Sequence, residues 1–310
     1  MKKLLKNLVY FMIPVVAVLV TIEYMAEKIP NEYSVKNDYL KKNSGKVEVL
    51  YLGNSHVYFG INPDYALHQS YNASYISQSL DLDQMILDKY HWKNLKYIVI
   101  PADYVSMYYT LETANEKWRV KNYNIYYHFW IGHDLANYAE IFNGKIQDQI
   151  KKIENYYVHD KYSRLSTELG FGTSYQSPSP FDINKTAKVA AGRHTFDIQS
   201  EEYQNNFEIN KEALNRIVRI AEEKKIRVIF LSSPVTLKYY QNCNRTQLAR
   251  TMKVYDDLLK KYPETCSHID FMQSSYFNIT DFYDGDHLNN IGAEKLTKLV
   301  EQKLPKIINH

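Results

Sequence analysis

The sequence predicts an α/β protein, a three-layer α/β/α sandwich with a parallel sheet, preceded by an amino-terminal transmembrane helix. Short apolar runs that end at Gly or Pro alternate with amphipathic segments, and strands separated by helices are joined by crossovers that make a sheet parallel. An uncharged apolar run fills residues 8–22. With 310 residues, 45% hydrophobic and 24% charged, the chain can bury a sizeable core.

The apolar run, LVYFMIPVVAVLVTI, is extended by Leu4 and Leu5 towards the ~20 residues that cross a bilayer. Lysines precede it, which favours a cytoplasmic amino terminus and places the following residues on the extracytoplasmic side of the cell membrane. A cleaved signal peptide is the alternative, but no A-x-A site follows the run. We therefore expect a signal anchor over residues 1–26 and a juxtamembrane stalk over residues 27–46.

Four buried strands and four helices are predicted after the stalk. The first three strands are short apolar runs that end at or near Gly or Pro, the fourth is only a short strand, and the helices have apolar residues at helical spacing. The predicted strands are VEVLYLG (47–53), LKYIVIPA (95–102), IRVIFLSSP (226–234) and SHIDFM (267–272), and the predicted helices cover 79–92, 203–225, 246–262 and 291–304.

A long insertion, residues 104–200, interrupts this alternation. It has no convincing core strand, but it has helix-like pieces at 134–142 and 145–157 and a Gly/Ser/Pro-rich segment at 169–180. An insertion of this length between sheet elements is usually functional or disordered. We interpret it as a helical cap over the site of a single domain, residues 47–310.

Several classes of function are disfavoured by charge and motifs. The net charge of +3 equals the three lysines in the first six residues, and no basic stripe follows, which argues against a nucleic-acid partner. The histidines of the insertion lack a ligand spacing such as H-x-x-x-H, so we predict no metal, and we predict no cofactor. Cys243 and Cys266 have no CxxC spacing and are either a disulfide or two thiols.

Two polar clusters carry the candidate chemistry. Residues 53–56, GNSH, end the first strand, and ligand sites in parallel sheets lie beyond the carboxyl ends of strands. DGDHLNNIGA, residues 284–293, follows the last strand and precedes the last helix. We therefore expect Ser55 to meet His287, with Asp284 accepting the imidazole Nδ1 proton so that Nε2 can take the proton of the serine.

LGNSH resembles the first block of the SGNH (GDSL-type) hydrolase and acyltransferase superfamily, and DGDHLNNIGA resembles its last block. The resemblance implies an SGNH, flavodoxin-like sandwich with Ser55 as nucleophile, His287 as base and Asp284 as its orienting partner. Membrane-anchored members, including the teichoic-acid D-alanine transfer protein and alginate acetylation proteins, modify envelope polymers. It thus implies a serine esterase or O-acyltransferase acting on acyl groups of cell-envelope or exported polysaccharide. The expected partners are the membrane, an acylated glycan or acyl donor, and a membrane-bound acyltransferase.

The chain departs from the superfamily at the oxyanion hole. The segment 71–82, where the second block is expected, lacks its usual Gly, and PADY (101–104) stands where the third block has GxND. We expect Asn54, Asn72 or the loop amide of Ser77 to supply the missing donor beside the Ser55 N–H. The alternative function is a catalytically weak domain that serves as a docking or assembly subunit of a polysaccharide modification or export machine.

Three further residues near these clusters are assigned by residue type alone. His56 either lines the pocket or positions the Ser55 loop. Asp286 is a solvated turn residue or helix cap, and it competes with Asp284 as the orienting acid. His194, in the insertion, is expected to be solvated rather than to bind an anionic substrate group.

Overall fold

The computed structural model describes residues 1–304, and within that range five strands form one sheet in the order β2-β1-β3-β4-β5. Every neighbouring pair is parallel. The four predicted strands are confirmed, and the sequence analysis missed β2. The strands are β1 (Val49–Tyr51), β2 (Ser70–Asn72), β3 (Tyr97–Pro101), β4 (Arg227–Ser232) and β5 (Cys266–Asp270).

Helices connect the strands and also make up most of the amino-terminal part of the chain. The four predicted helices of the sheet region are confirmed, and the segment predicted as a stalk contains a helix of its own. The helices are α1 (Lys2–Glu27), α2 (Glu32–Asn43), α3 (Ser55–Tyr58), α4 (Leu80–Lys89), α5 (Val120–Tyr127), α6 (Ile146–Tyr157), α7 (Ile183–Arg193), α8 (Glu201–Glu223), α9 (Leu237–Asn242), α10 (Arg245–Lys261) and α11 (Asn290–Lys303).

The chain forms two compact units. The first combines Met1–Asp38 with Asn115–Arg164, and the second combines Tyr39–Ala114 with Leu165 and the residues that follow it. The insertion drawn from the sequence is therefore divided between the two units. Its middle part shares a unit with α1, and its last part shares a unit with the sheet.

In the first unit, α1 is long and apolar enough to cross a membrane, by length and composition. The side chains of α5 are mostly buried, and its Lys121 Nζ lies 2.5 Å from Glu140 Oε2. The Tyr126 hydroxyl donates to Glu140 Oε1 over 2.7 Å. Because a buried charge is tolerated only when it is paired, this lysine and tyrosine satisfy the carboxylate of Glu140.

In the second unit, one face of the sheet packs against α11. Val49, Val99 and Leu231 on the strands form a buried cluster with Leu296 and Val300 of the helix. Alternate residues of a strand point to the same face, so these strand positions present a continuous apolar surface. This packing fixes the start of α11, and therefore the segment before it, relative to the strand ends.

A buried carboxylate also attaches α11 to the sheet. Glu301 accepts hydrogen bonds from the Tyr51 hydroxyl at 2.7 Å and from the backbone N–H of Leu67 at 3.1 Å. Its Oε2 lies 2.6 Å from Nδ1 of His68, a half-buried ring just before β2. This pair therefore lies near the amino end of β2, whereas the candidate site lies at the carboxyl ends of the strands.

Candidate active site

The strand order reverses between β1 and β3, and sites in sheets of this topology lie outside the carboxyl ends of the two strands at that point. Gly53 follows β1 with φ of +120°. A Cβ at this position would lie 2.5 Å from Cδ of Pro101 at the end of β3. Only glycine fits this conformation and this space, so the loop can turn tightly beside the neighbouring strand.

Ser55 begins the short helix α3, and Asn54 caps it by accepting the His56 N–H on its side chain at 3.0 Å. Serine at a helix start often caps the helix itself. Here the cap is the preceding asparagine, so the hydroxyl of Ser55 is available to another partner. Ser55 is partly exposed to solvent, as a nucleophile that meets a substrate must be.

His287 is that partner, and its Nε2 lies 2.8 Å from Ser55 Oγ although 232 positions separate the two residues. Its Nδ1 lies 3.0 and 3.1 Å from the two carboxylate oxygens of Asp284. Asp284 Oδ1 also accepts the backbone N–H of Asp286 at 3.1 Å and of His287 at 2.8 Å. These bonds fix the carboxylate behind the ring, so Nδ1 carries the proton and Nε2 can accept one from the serine.

The sequence analysis placed Ser55, His287 and Asp284 together, and the structure brings them together. The turn that carries the last two is closed by the Tyr283 N–H, which donates to the His287 carbonyl at 2.9 Å. Its Gly285 leaves no room for a side chain, because a Cβ there would lie 2.0 Å from Cα of Ala187 in α7. Helix α7 therefore packs directly against this turn.

A second imidazole, His56, lies beside the first, with ring centroids 4.9 Å apart. Its Nδ1 is 3.0 Å from Asp103 Oδ2 and its Nε2 is 3.1 Å from Asp286 Oδ2. A neutral imidazole can donate through one nitrogen only, so a ring placed between two carboxylates carries both protons. Burial lowers the pKa of His56, but the hydrogen bonds and charges of both carboxylates outweigh burial and raise it to about 10.

The two carboxylates respond in the opposite sense. Burial alone would raise the pKa of Asp103, but the hydrogen bond and charge of His56 hold it below its usual range. Burial likewise opposes the ionisation of Asp286, and the nearby His287 and His56 hold its pKa low. Asp286 is 2% exposed, so its assignment as a solvated turn residue is wrong. It accepts from His56 and is 3.5 Å from His287 Nδ1, whereas Asp284 holds that nitrogen more closely.

Asp103 is the residue that sequence reasoning passed over. It stands in PADY, where the absence of an asparagine was the only feature noted. Besides His56, it accepts hydrogen bonds from Asn54 Nδ2 at 2.8 Å, from Ser106 Oγ at 2.5 Å and from the Val105 N–H at 3.2 Å. A charged residue directly after a buried strand, at the sheet's ligand edge, was the signal that could have found it.

His194 is also partly buried beside this network, with 16% of its side chain exposed, rather than fully solvated. Its Nδ1 lies 2.8 Å from the Tyr239 hydroxyl and 3.8 Å from Asp286 Oδ2. Burial is the main influence on the ring and lowers its pKa to about 4. His194 is therefore neutral at pH 7, and the solvated position expected from its sequence is corrected.

The oxyanion donors proposed from the sequence have different environments. Asn72 donates both amide hydrogens to main-chain carbonyls, those of Val57 at 3.0 Å and Ile61 at 2.7 Å, so its amide has no hydrogen left for a substrate. This corrects the expectation for Asn72. Asn54 is held by Asp103 and by its capping bond. Ser77 lies in a loop tied to the nucleophile loop, where the Tyr75 N–H donates to the Gly53 carbonyl at 3.0 Å.

An aromatic wall stands beside His287. Tyr175 stacks on Phe59 with centroids 3.7 Å apart and on Tyr283 with centroids 4.1 Å apart, and it meets the edge of His287 at 5.4 Å. The Asn290 N–H donates to the Tyr175 carbonyl at 2.9 Å, which attaches this segment to the start of α11. The Gly/Ser/Pro-rich segment thus contributes a side of the site that composition alone did not reveal.

Within residues 1–304, the ligand-type atoms of His56, Asp286 and His287 lie within 4.8 Å of one another and could hold a metal ion. Each of these groups already has a hydrogen-bonding partner in the network described above. The chemistry of the donors therefore fits a proton network at least as well as a metal site, and we assign no metal.

Neither the comparison with protein-family models nor that with curated proteins returned a match. Among solved structures, the chain is similar to a Streptococcus pneumonia protein described as a proposed platelet activating factor, with a TM-score of 0.40 and 12% identity. The similarity covers 93% of this chain and 98% of that chain.

Proposed function

We propose that the protein is a membrane-anchored serine esterase or O-acyltransferase of the SGNH type, acting on acyl groups of cell-envelope or exported polysaccharide. The observation that carries the proposal is the 2.8 Å contact between Ser55 Oγ and His287 Nε2, with Asp284 on the opposite nitrogen of the ring. Nucleophile, base and orienting acid in hydrogen-bonding reach of one another are the requirements for acyl transfer.

In the first half of the proposed reaction, Ser55 Oγ attacks the carbonyl carbon of an acyl ester while its proton moves to His287 Nε2. The bond to the donor oxygen then breaks, and that oxygen leaves with the proton from His287. In the second half, water or a sugar hydroxyl gives a proton to His287 and attacks the acyl carbon. The bond from that carbon to Ser55 Oγ then breaks, and Ser55 Oγ takes the proton back from His287. Water makes the protein an esterase, and a hydroxyl makes it a transferase.

In both halves of the reaction, negative charge develops on the carbonyl oxygen of the acyl group and needs hydrogen-bond donors to stabilise it. The Ser55 N–H lies at the first position of α3, where backbone N–H groups have no partner inside the helix. The loop that includes Ser77 adjoins the nucleophile loop and is the source we propose for a second N–H. The imidazolium of His56, next to the nucleophile in sequence, adds a fixed positive charge to the same neighbourhood.

Labelling of the full chain with a fluorophosphonate tests the proposal. We expect Ser55 to be labelled and Ser55→Ala to abolish labelling, with Ser275→Ala, an exposed serine elsewhere, as the matched control. In a second experiment, unlabelled protein that carries an acyl group on Ser55 is given a glycan acceptor. Transfer of the acyl group to the sugar rather than to water identifies a transferase. Unchanged labelling of Ser55→Ala would refute the assignment of the nucleophile.

A docking or assembly subunit is the second candidate, and the position of Asp103 favours it. An acceptor occupies the place where the superfamily has a donor asparagine, and Asp103 is bonded to Asn54 and His56 rather than facing a substrate. A folded wild-type chain that never reacts with fluorophosphonate, yet co-purifies with a membrane-bound acyltransferase, would favour this function.

We also infer a three-layer sandwich for the second unit. Helix α10 lies against the face of the sheet opposite α11, because the Phe230 ring of β4 contacts the Tyr255 ring of α10 with centroids 5.0 Å apart. In addition, α8 packs against α4 and contacts β4. Helices on both faces are the arrangement expected of a parallel sheet built by crossovers.

Finally, we propose that α1 is an uncleaved, single-pass membrane helix with a cytoplasmic amino terminus. The lysines before the apolar run support this orientation. Protease treatment of intact spheroplasts tests it, because an extracytoplasmic domain is digested while the membrane is intact and a cytoplasmic domain is protected.

A further inference from the structure

The first unit exposes large apolar side chains in a short stretch of sequence. Trp130 is 85% exposed, Leu135 78%, Phe142 65% and Val158 71%. Ile146 and Ile150 of α6 are exposed as well. Isolated exposed apolar residues are normal on a protein surface, but concentrations of them mark sites that contact a protein or a membrane. We call the six residues named here the apolar surface.

The exposed apolar residues of α6 share one side of the helix. Ile146, Ile150 and Tyr157 are spaced by four and seven positions, which places them on one stripe. Asp148 lies on the opposite side of the same helix and is exposed. The helix is therefore amphipathic on its solvent side, a pattern that the packing of a water-soluble unit does not require.

The same stretch is attached to the end of α1. The carboxylate of Glu23 accepts the backbone N–H of Glu140 at 2.7 Å and of Ile141 at 2.9 Å. The Tyr157 hydroxyl donates to the Met25 carbonyl at 3.3 Å. Glu23 is the first charged residue after the apolar run, so the attachment lies where α1 would leave the bilayer.

The contact reaches back into the apolar run. Leu19 is partly covered, whereas residues 1–18 are exposed. At a rise of 1.5 Å per residue, Leu19 lies about 6 Å deeper along the axis than Glu23. With α1 spanning the bilayer as proposed, this places the covered part of α1 at the depth of the lipid headgroups and the outer ends of the acyl chains, where Trp and amphipathic helices are favoured.

We propose that the apolar surface lies in the outer interface of the bilayer, as a second membrane attachment beside α1. This inference rests on the proposed membrane span. The bilayer is the occupant that the structure favours, because the stretch of chain that carries the apolar surface is attached to α1 by the contacts of Glu23 and Met25, at the point where α1 would leave the bilayer. The attachment fixes the first unit against the lipid rather than leaving it on a free tether.

An environment-sensitive fluorophore on the full chain in vesicles of phosphatidylcholine and phosphatidylglycerol tests this placement. The fluorophore is attached to Ile150→Cys and, as the matched control, to Asp148→Cys on the other side of α6. The native thiols, Cys243 and Cys266, are buried and react slowly in the folded protein. We expect a blue-shifted emission at position 150 that lipids brominated on the acyl chains quench, and a water-like, unquenched emission at position 148.

Flotation of the same vesicles separates failure of this inference from failure of the membrane span. A chain that floats and resists carbonate extraction, but has water-like emission at both positions, would overturn the inference and leave the span intact. A chain that carbonate releases would overturn both. A blue shift at position 150 that brominated lipid does not quench would indicate a protein contact, from a second copy or a partner, and would also overturn the inference.

Discussion

Two imidazoles with centroids 4.9 Å apart have opposite surroundings in the candidate site. His287 has a carboxylate on one nitrogen and a hydroxyl on the other, whereas His56 has a carboxylate on each. His287 can exchange a proton between its Nε2 and the hydroxyl oxygen of Ser55, whereas His56 is held as a cation. The comparison teaches that the number of carboxylates on a ring, more than its burial, decides whether it transfers a proton or stores a charge.

The largest expected effect comes from removing the ring that transfers the proton. For His287→Gln we expect fluorophosphonate labelling and ester hydrolysis to fall by about 10⁴–10⁶-fold, because the serine loses its base. Labelling rates of the folded variant measure this. The matched control is His68→Gln, which breaks an imidazole–carboxylate pair away from the site and should retain the wild-type rate. Equal losses in both variants would contradict a special role for His287.

Removing the ring that stores the charge should affect folding more than labelling. In His56→Gln, Asp103 and Asp286 remain buried without the cation between them, and we expect unfolding free energy to fall by about 3–5 kcal/mol. Denaturant titration at pH 7 measures it. The double variant with Asp103→Asn removes one of the two uncompensated charges and should recover part of the loss. A single variant as stable as the wild type would show that His56 is not a structural cation.

The pH dependence of the same variant follows from the sign of the shift. The folded pKa of His56 is raised to about 10 from an ordinary value of 6.5. Its stabilisation is therefore fully present below pH 6.5 and is lost as pH rises through 10. The stability difference between wild type and His56→Gln should accordingly narrow between pH 7 and pH 10.

A third buried carboxyl, Asp83, sharpens the comparison because the donors that bond to it are neutral. It accepts the Gly53 N–H at 2.8 Å and a Gln78 hydrogen at 2.6 Å, and burial raises its pKa to about 7 from 3.8. A carboxyl whose pKa is raised in the folded state contributes stability that is fully present below pH 3.8 and is lost as pH rises through 7. Relative to Asp83→Asn, we expect the wild type to lose on the order of 2–3 kcal/mol between pH 5 and pH 8. A constant difference over that range would contradict this.

How much of the fold the sequence predicts depends on how apolar each element is. The runs that became β1, β3 and β4 are apolar and bounded by turn residues, so they were recognisable, whereas β5 contains Ser, His and Asp and was recognisable only as a short run around Ile269 and Phe271. β2 is Ser-Tyr-Asn over three residues and is held by pairing with β1, a contact that a local pattern does not contain. The same holds for α5. Its Asn and Tyr residues have modest helix propensity, and the helix is stabilised by the burial of most of its side chains, which a local pattern does not contain.

The candidate site divides in the same way. Ser55, His287 and Asp284 were predictable because each follows a strand or precedes a helix at a recognisable place. The burial of Asp103 and Asp286 was not predictable, because a charged residue after a strand is usually solvated, and only the convergence of three chain segments on His56 buries them. Asn72 likewise looks like a free donor in sequence, and only the fold shows both its hydrogens engaged.

The smallest expected effect on labelling comes from changing the aromatic neighbours of His287. His56 is held in place by charged partners, whereas His287 is held partly by aromatic packing. Tyr175 stacks between Phe59 and Tyr283 and meets the edge of His287. For Tyr175→Leu we expect unfolding free energy to fall by about 1–2 kcal/mol from lost aromatic contacts. The catalytic ring then loses one of its neighbours but keeps Asp284, so labelling should fall by less than about tenfold. Tyr175→Phe keeps the ring and should match the wild type in both measurements. If the phenylalanine variant lost as much as the leucine variant, the hydroxyl of Tyr175, rather than its ring, would be what the site requires.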